Sequence, residues 1–166
     1  MREMEWPPAR GGGELLIDRQ RLAARRLVHL GQTLVSGDLD AAIPDLAPDA
    51  PVLGLYALAP GGAHALRIGR TSALLVTPAP LAPADGWHDG WCATSVDDGW
   101  AAVEVTGADA PHALMQATSA DLASGSPSAA VIFFGLRGLL ARTPSGFRVY
   151  VESPWLETLL TWLDGV

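Results

Sequence analysis

Apolar residues recur along this chain with two different periods. From Glu14 to Val35, the residues Leu16, Ala23, Leu27, Leu30 and Leu34 fall on one stripe at helical pitch, with Arg21, Arg25 and Gln32 opposite. This spacing predicts a helix over 14–35, fading at Gly31 and ended by Ser36-Gly37-Asp38. Arg19, Arg21, Arg25 and Arg26 then read as a solvated face. The Pro-, Asp- and Ala-rich stretch 38–51 reads as a loop. Three short apolar runs follow at 52–58, 63–68 and 73–77, separated by Pro60-Gly61-Gly62 and Gly69-Arg70-Thr71-Ser72. They predict strands, the last two joined as a hairpin. The segment 78–90, PAPLAPADGWHDG, reads as loop again.

The period changes to two at 100–106, where Ala101, Val103 and Val105 alternate with Ala102, Glu104 and Thr106. Gly107 turns the chain, and Pro111 in the first turn suits a short helix over 108–116. Runs at 130–134, 139–142 and 147–151 predict three further strands, with Gly135-Leu136-Arg137-Gly138 as a turn. Ser153-Pro154 predicts the start of a closing helix, Ser153 as its cap, with Leu156, Leu159, Leu160 and Leu163 as the apolar stripe. The succession strand, helix, strands, helix predicts an α+β fold. Its expected form is a ferredoxin-like split β-α-β unit, an antiparallel sheet with helices on one face, plus the N-terminal helix. The expected organisation is a Pro/Gly-rich arm over 1–13, the helix and loop over 14–51, and an α+β domain over 52–166.

Composition narrows the function classes. With 166 residues and 49% hydrophobic content, the chain can bury a core of its own. The formal net charge of -7 argues against nucleic acid as a partner, because phosphate binding needs clustered positive charge. All eleven basic residues are arginine. Cys92 is the single cysteine, so no intrachain disulfide forms, which fits a cytoplasmic protein. No secretory signal pattern opens the chain, and no apolar run approaches the roughly 20 residues needed to span a bilayer.

Candidate chemistry is sparse. Asp97-Asp98 are neighbours on a turn, and Glu104 and Asp109 stand apart. His29, His64, His88 and His112 show no metal-ligand spacing with one another. His88, Asp89 and Cys92 form the one cluster that could serve as a metal site or a Cys–His nucleophile, against the plainer reading of a polar loop. No Walker pattern or G-x-G-x-x-G occurs. Six tryptophans are many for this length, and tryptophan is enriched where proteins dock. Trp6, Trp87 and Trp91, on expected loops, and Arg137, on an expected turn, are therefore the candidate partner-contact residues, while Trp100 and Trp162 read as core.

Several stretches carry a family pattern: VEVTG ending a strand, ALMQ in the helix after it, the pair Asp121-Leu122, the strand FRVYV at 147–151, the closing Trp162-Leu163 and the earlier ALRIGRTSALLVT. Together they make 53–163 resemble the gamma subunit of heterotetrameric sarcosine oxidase, a relative of the glycine-cleavage T-protein. The resemblance implies a non-catalytic subunit of a flavin-dependent enzyme that demethylates sarcosine or a related N-methyl amino acid. It also implies larger flavoprotein and folate-binding partners that hold FAD, FMN, NAD and tetrahydrofolate, and a small zinc-holding subunit. No catalytic, cofactor-binding or metal-binding role carries over to a residue of this chain. Two alternatives stay open: a stand-alone T-protein-like domain that binds folate or another small ligand, and an isolated enzyme built on His88, Asp89 and Cys92.

Overall fold

The residues from Leu15 to Gly37 form three strands where the apolar spacing predicted one helix. They are β1 (Leu15–Asp18), β2 (Ala23–Leu27) and β3 (Gly31–Gly37). The five residues of the expected stripe are all only partly buried, whereas Ile17, Leu22, Ala24, Gln32, Thr33 and Val35 are inside. Partner strands decide the outcome. Ala24 of β2 lies opposite Val105, and Leu27 opposite Ala102, on the strand β9 (Trp100–Thr106). His29, at φ 61°, turns the chain between β2 and β3. A weak helical period yields to a register that buries the alternate residues on a sheet. The computed structural model describes residues 13–81 and 86–165. Of the expected 1–13 arm only Gly13 falls among them, so Trp6 lies outside the described residues.

A second correction follows at once. Helix α1 (Leu39–Leu46) occupies what composition presented as loop. Asp38 caps it, its carboxylate accepting the amides of Asp40 and Ala41 at 3.1 and 3.2 Å. Pro44 sits on the exposed side, and Leu39, Ala42 and Ile43 face inward.

The remaining elements fall closer to expectation. The three apolar runs become β4 (Val52–Leu53), β5 (His64–Gly69) and β6 (Ser72–Thr77), with β5 and β6 paired as the expected hairpin. A short hairpin of β7 (Gly86–Trp87) and β8 (Trp91–Ser95) replaces part of the expected loop over 78–90. After β9 come α2 (Ala110–Ala117), β10 (Ala130–Phe133), β11 (Leu136–Thr143), β12 (Gly146–Glu152) and α3 (Leu156–Asp164). Leu136 and Arg137 belong to β11, so the tight turn is Phe134-Gly135. Ser153 is not a helix cap: it opens a single 3₁₀ turn, and its hydroxyl donates to the Asp98 carbonyl at 2.6 Å.

The strands make two six-stranded sheets, β1-β2-β9-β12-β11-β10 and β4-β5-β6-β3-β8-β7. All neighbours are antiparallel except β4 and β5. In the first sheet, β9 and β11 run parallel on either side of β12, and the chain passes from β9 through α2 and the edge strand β10 before it reaches β11. That is consistent with the expected split β-α-β unit, with β10 added at the edge.

The sheets stack face to face. Ala102, Leu139, Ala141 and Tyr150 of the first pack against Leu66, Leu74 and Val76 of the second. The alanines let the layers approach closely, and burial of this apolar layer supplies the inter-sheet attraction. On its outer face the first sheet presents Val103, Val105, Val149 and Val151 to α2 and α3. The second presents Val35, Ala73 and Leu75 to α1. The α+β class therefore holds, and each sheet carries its helices on one face.

Candidate functional site

The helical face of the first sheet carries the most distinctive surface. Helix α2 buries Ala110, Ala113, Leu114 and Ala117, the i, i+3, i+4, i+7 set, and leaves Pro111, His112, Met115 and Gln116 outside. Met115 is 57% exposed. Helix α3 buries Leu156, Leu159 and Leu163 and leaves Trp162 48% exposed. Grooves run along both sides of α2. One, of about 230 Å³, lies between Tyr56, Pro111, Met115, Leu122 and Phe147, with Asp121 on its wall. The other, of about 490 Å³, lies between Gln116, Phe134, Thr161 and Trp162.

Each groove is lined by an aromatic residue in the left-handed backbone region. Tyr56 has φ 63° and Phe134 φ 48°. For bulky side chains this conformation costs about 1–3 kcal/mol and persists only where neighbours enforce it. The neighbours are visible. Tyr56 lies 5.8 Å from the Phe147 ring and beneath the Arg142 guanidinium at 4.8 Å. Phe134 stacks on Trp162 with centroids 4.6 Å apart and planes 8° apart, and its amide donates to the Ala117 carbonyl at 2.7 Å. Two ion pairs brace the same face. Arg21 clasps Asp109 at the start of α2, at 2.8–3.0 Å, and Arg19 reaches Asp164 at the end of α3. The hydrogen bonds between them, aided by their charges, raise the Arg21 pKa and lower that of Asp109. Two of the arginines expected on a solvated face thus pin the β1–β2 turn to both helices.

The residues singled out from sequence do not form one surface. Trp87, 80% exposed, lies on β7 at one edge of the second sheet. Arg137 lies near the opposite edge of the sandwich, since β5 packs beside β10 and β11 while β7 is at the far side of its sheet. Arg137 is exposed, and its strand partner is Ile132, itself 54% exposed. Trp91 is only 5% exposed and belongs to the core beneath α1, which takes it off the surface. Trp6 lies outside the described residues. Trp162, read as core, is half outside. It stands one position off the leucine stripe, and only the Phe134 turn, brought close by the sheet, shows what it meets.

Two of the candidate reactive groups, His88 and Asp97, have structural partners. His88 stacks on Trp91 with centroids 3.8 Å apart. Asp97 accepts the Gln32 amide at 2.6 Å and the Ser95 hydroxyl at 3.2 Å. Among the described residues, no three His, Cys, Asp or Glu side chains gather closely enough to hold a metal ion. Among the same residues, no helix is long and apolar enough to cross a membrane.

Fold and surface together define a two-sheet α+β sandwich whose helical face carries apolar grooves walled by aromatic residues, Trp162 among them exposed. No family model matches the chain, and no curated protein matches it. Among solved structures it is similar to a chain of heterotetrameric sarcosine oxidase from Corynebacterium sp. U-96, determined in complex with pyrrole 2-carboxylate. The TM-score is 0.71 at 18% identity, over 90% of this chain and 85% of that one. At such identity the likeness is one of fold.

Proposed function

We propose that the chain is a non-catalytic, gamma-like subunit of a multi-subunit flavin-dependent oxidase of the sarcosine oxidase type. The observation that carries this reading is the fold likeness to a chain of such an enzyme across nearly all of both chains, which makes the two close in length. On this reading the larger subunits hold FAD, FMN, NAD and tetrahydrofolate, and zinc sits on a small one. Together they demethylate sarcosine or a related N-methyl amino acid oxidatively and pass the one-carbon unit to tetrahydrofolate. This chain supplies shape. The grooves beside α2, with Met115 and Trp162 standing outside, offer the apolar anchor points on which subunit interfaces depend. Its role is to buttress the folate-binding subunit in the cytoplasmic enzyme.

Affinity recovery of the tagged full chain from its own cells, with mass spectrometry and a flavin absorbance spectrum of the eluate, tests the reading. Larger chains and a flavin spectrum are expected in stoichiometric amount. Recovery of the chain alone, as a stable monomer, would overturn it.

A further inference from the structure

A groove of about 360 Å³ lies away from the helical face, where the β5–β6 hairpin meets the loop before β10. Its walls are Arg67, Gly69 and Arg70 on one side and Ser126, Pro127 and Ser128 on the other. The two sides are pinned together. The Ala129 amide donates to the Arg67 carbonyl at 2.6 Å, and the Ser128 hydroxyl donates to the Ile68 carbonyl at 2.7 Å. The hairpin side is ordered from within, because the Arg67 guanidinium donates to the Arg70 carbonyl at 3.2 Å. On the loop side, the Ser126 hydroxyl accepts the Ser128 amide at 3.2 Å and keeps its own hydrogen to give.

The surface of this groove is mostly apolar, and its polar side chains are arginines and serines. Two guanidinium groups and a hydroxyl supply donors, and no carboxylate is among the residues that form the groove. Arg67 and Arg70 form no ion pair among the described residues, although Arg19 and Arg21 elsewhere do. In a chain of net charge -7, this groove brings together two arginines and no carboxylate. Guanidinium forks match the paired oxygens of carboxylate and phosphate groups, and charge-assisted bonds of this kind are about twice as strong as neutral ones.

We propose that Arg67, Arg70 and Ser126 form a binding site for a small oxyanion, a phosphate or carboxylate group, independent of the α2 and α3 surface. Arg70, the more exposed of the two arginines, contacts the anion through its side chain alone, and Arg67 holds the hairpin while offering its remaining N–H groups.

Amide spectra of the ¹⁵N-labelled full chain, titrated with inorganic phosphate and separately with succinate at constant ionic strength, test this. Saturable shifts are expected at the amides of 67–71, of 126 and of 128–130. Arg70→Gln is expected to weaken binding about tenfold, the scale of one charge-assisted hydrogen bond. Arg70→Lys, which keeps the charge and loses the fork, is expected to fall between. Arg25→Gln, which removes an equal charge elsewhere, is expected to bind as the parent does. Saturation by phosphate alone identifies a phosphate ligand, by succinate alone a carboxylate ligand, and by both a general oxyanion site. Shifts that stay linear with both anions, or an equal loss in Arg25→Gln and Arg70→Gln, would overturn the proposal.

Discussion

Nε2 of His64 stands 3.3 Å from the hydroxyl of Tyr150, so a histidine of one sheet and a tyrosine of the other meet inside the apolar layer between them. Nδ1 of the same ring lies 2.9 Å from the Gly62 carbonyl. With Nδ1 protonated, the ring donates to Gly62 and accepts from Tyr150, and both buried polar groups are satisfied without a charge.

This pair makes stability depend on pH at both ends. Burial lowers the His64 pKa, opposed by the Gly62 hydrogen bond and reinforced by the Arg148 charge. The unfolded chain therefore takes up this proton first. The contribution is present above the ordinary value of 6.5 and is lost as pH falls through the lowered folded value. Burial pushes the Tyr150 pKa from 10.0 up to about 12, so its contribution is present below 10.0 and lost as pH rises toward 12. Urea midpoints measured across this range should decline on both sides, and His64→Gln should flatten the decline just below pH 6.5. An unchanged slope in that variant would contradict the assignment.

Tyr150→Phe removes only the hydroxyl and leaves the ring that fills the inter-sheet layer. The expected cost is about 1–3 kcal/mol, because Nε2 of His64 loses its partner where water does not reach. Equilibrium denaturation reads it, with an unchanged m-value showing that the fold is retained.

Gly54 is held by close approach and not by its backbone angles. A Cβ there would lie 2.0 Å from the Ser126 carbonyl oxygen, the same oxygen that accepts the Leu55 amide at 2.9 Å. Gly54→Ala should cost about 1–3 kcal/mol in thermal or urea unfolding. Gly61→Ala, where a Cβ meets open space, should change little by comparison.

Two nearby tryptophans separate core from surface. Trp91→Ala empties a site beneath α1 and should cost about 3–5 kcal/mol. Trp87→Ala should stay within about 0.5 kcal/mol, because that ring lies almost wholly outside. Paired denaturation curves of the two variants decide this.

Trp162→Ala tests the docking face. The lost stack on Phe134 should cost about 0.5–1.5 kcal/mol, while recovery of larger partner chains with the tagged protein should fall by far more than that destabilisation explains. Equal recovery would move the interface to another face.

The legible parts were those where local pattern and final environment agree. Ala101, Val103 and Val105 alternate in sequence because one side of β9 meets the helices, and that strand lies where its period placed it. The β5–β6 hairpin and the α3 stripe were read for the same reason, and α2 was read from the Gly107 turn and Pro111 at its start. The N-terminal third misled because Leu16, Ala23, Leu27, Leu30 and Leu34 suit a helical stripe, while β2 and β3 are set by neighbours more than 35 positions away: β9, β6 and β8. Helix α1 hid behind Pro44, although Asp38 already stood at its cap.

Sequence alone therefore determined the α+β class, the strand and helix order of the C-terminal half, and the acidic balance. These follow from composition and from periods shorter than one element. Only the tertiary structure decided that the strands divide into two stacked sheets, that Trp91 is inside and Trp162 half outside, and that Arg67 and Arg70 share a groove with Ser126. Those facts depend on register between strands and on which faces meet. Such pairings are set by the summed burial of residues far apart in the chain, and no single segment encodes them.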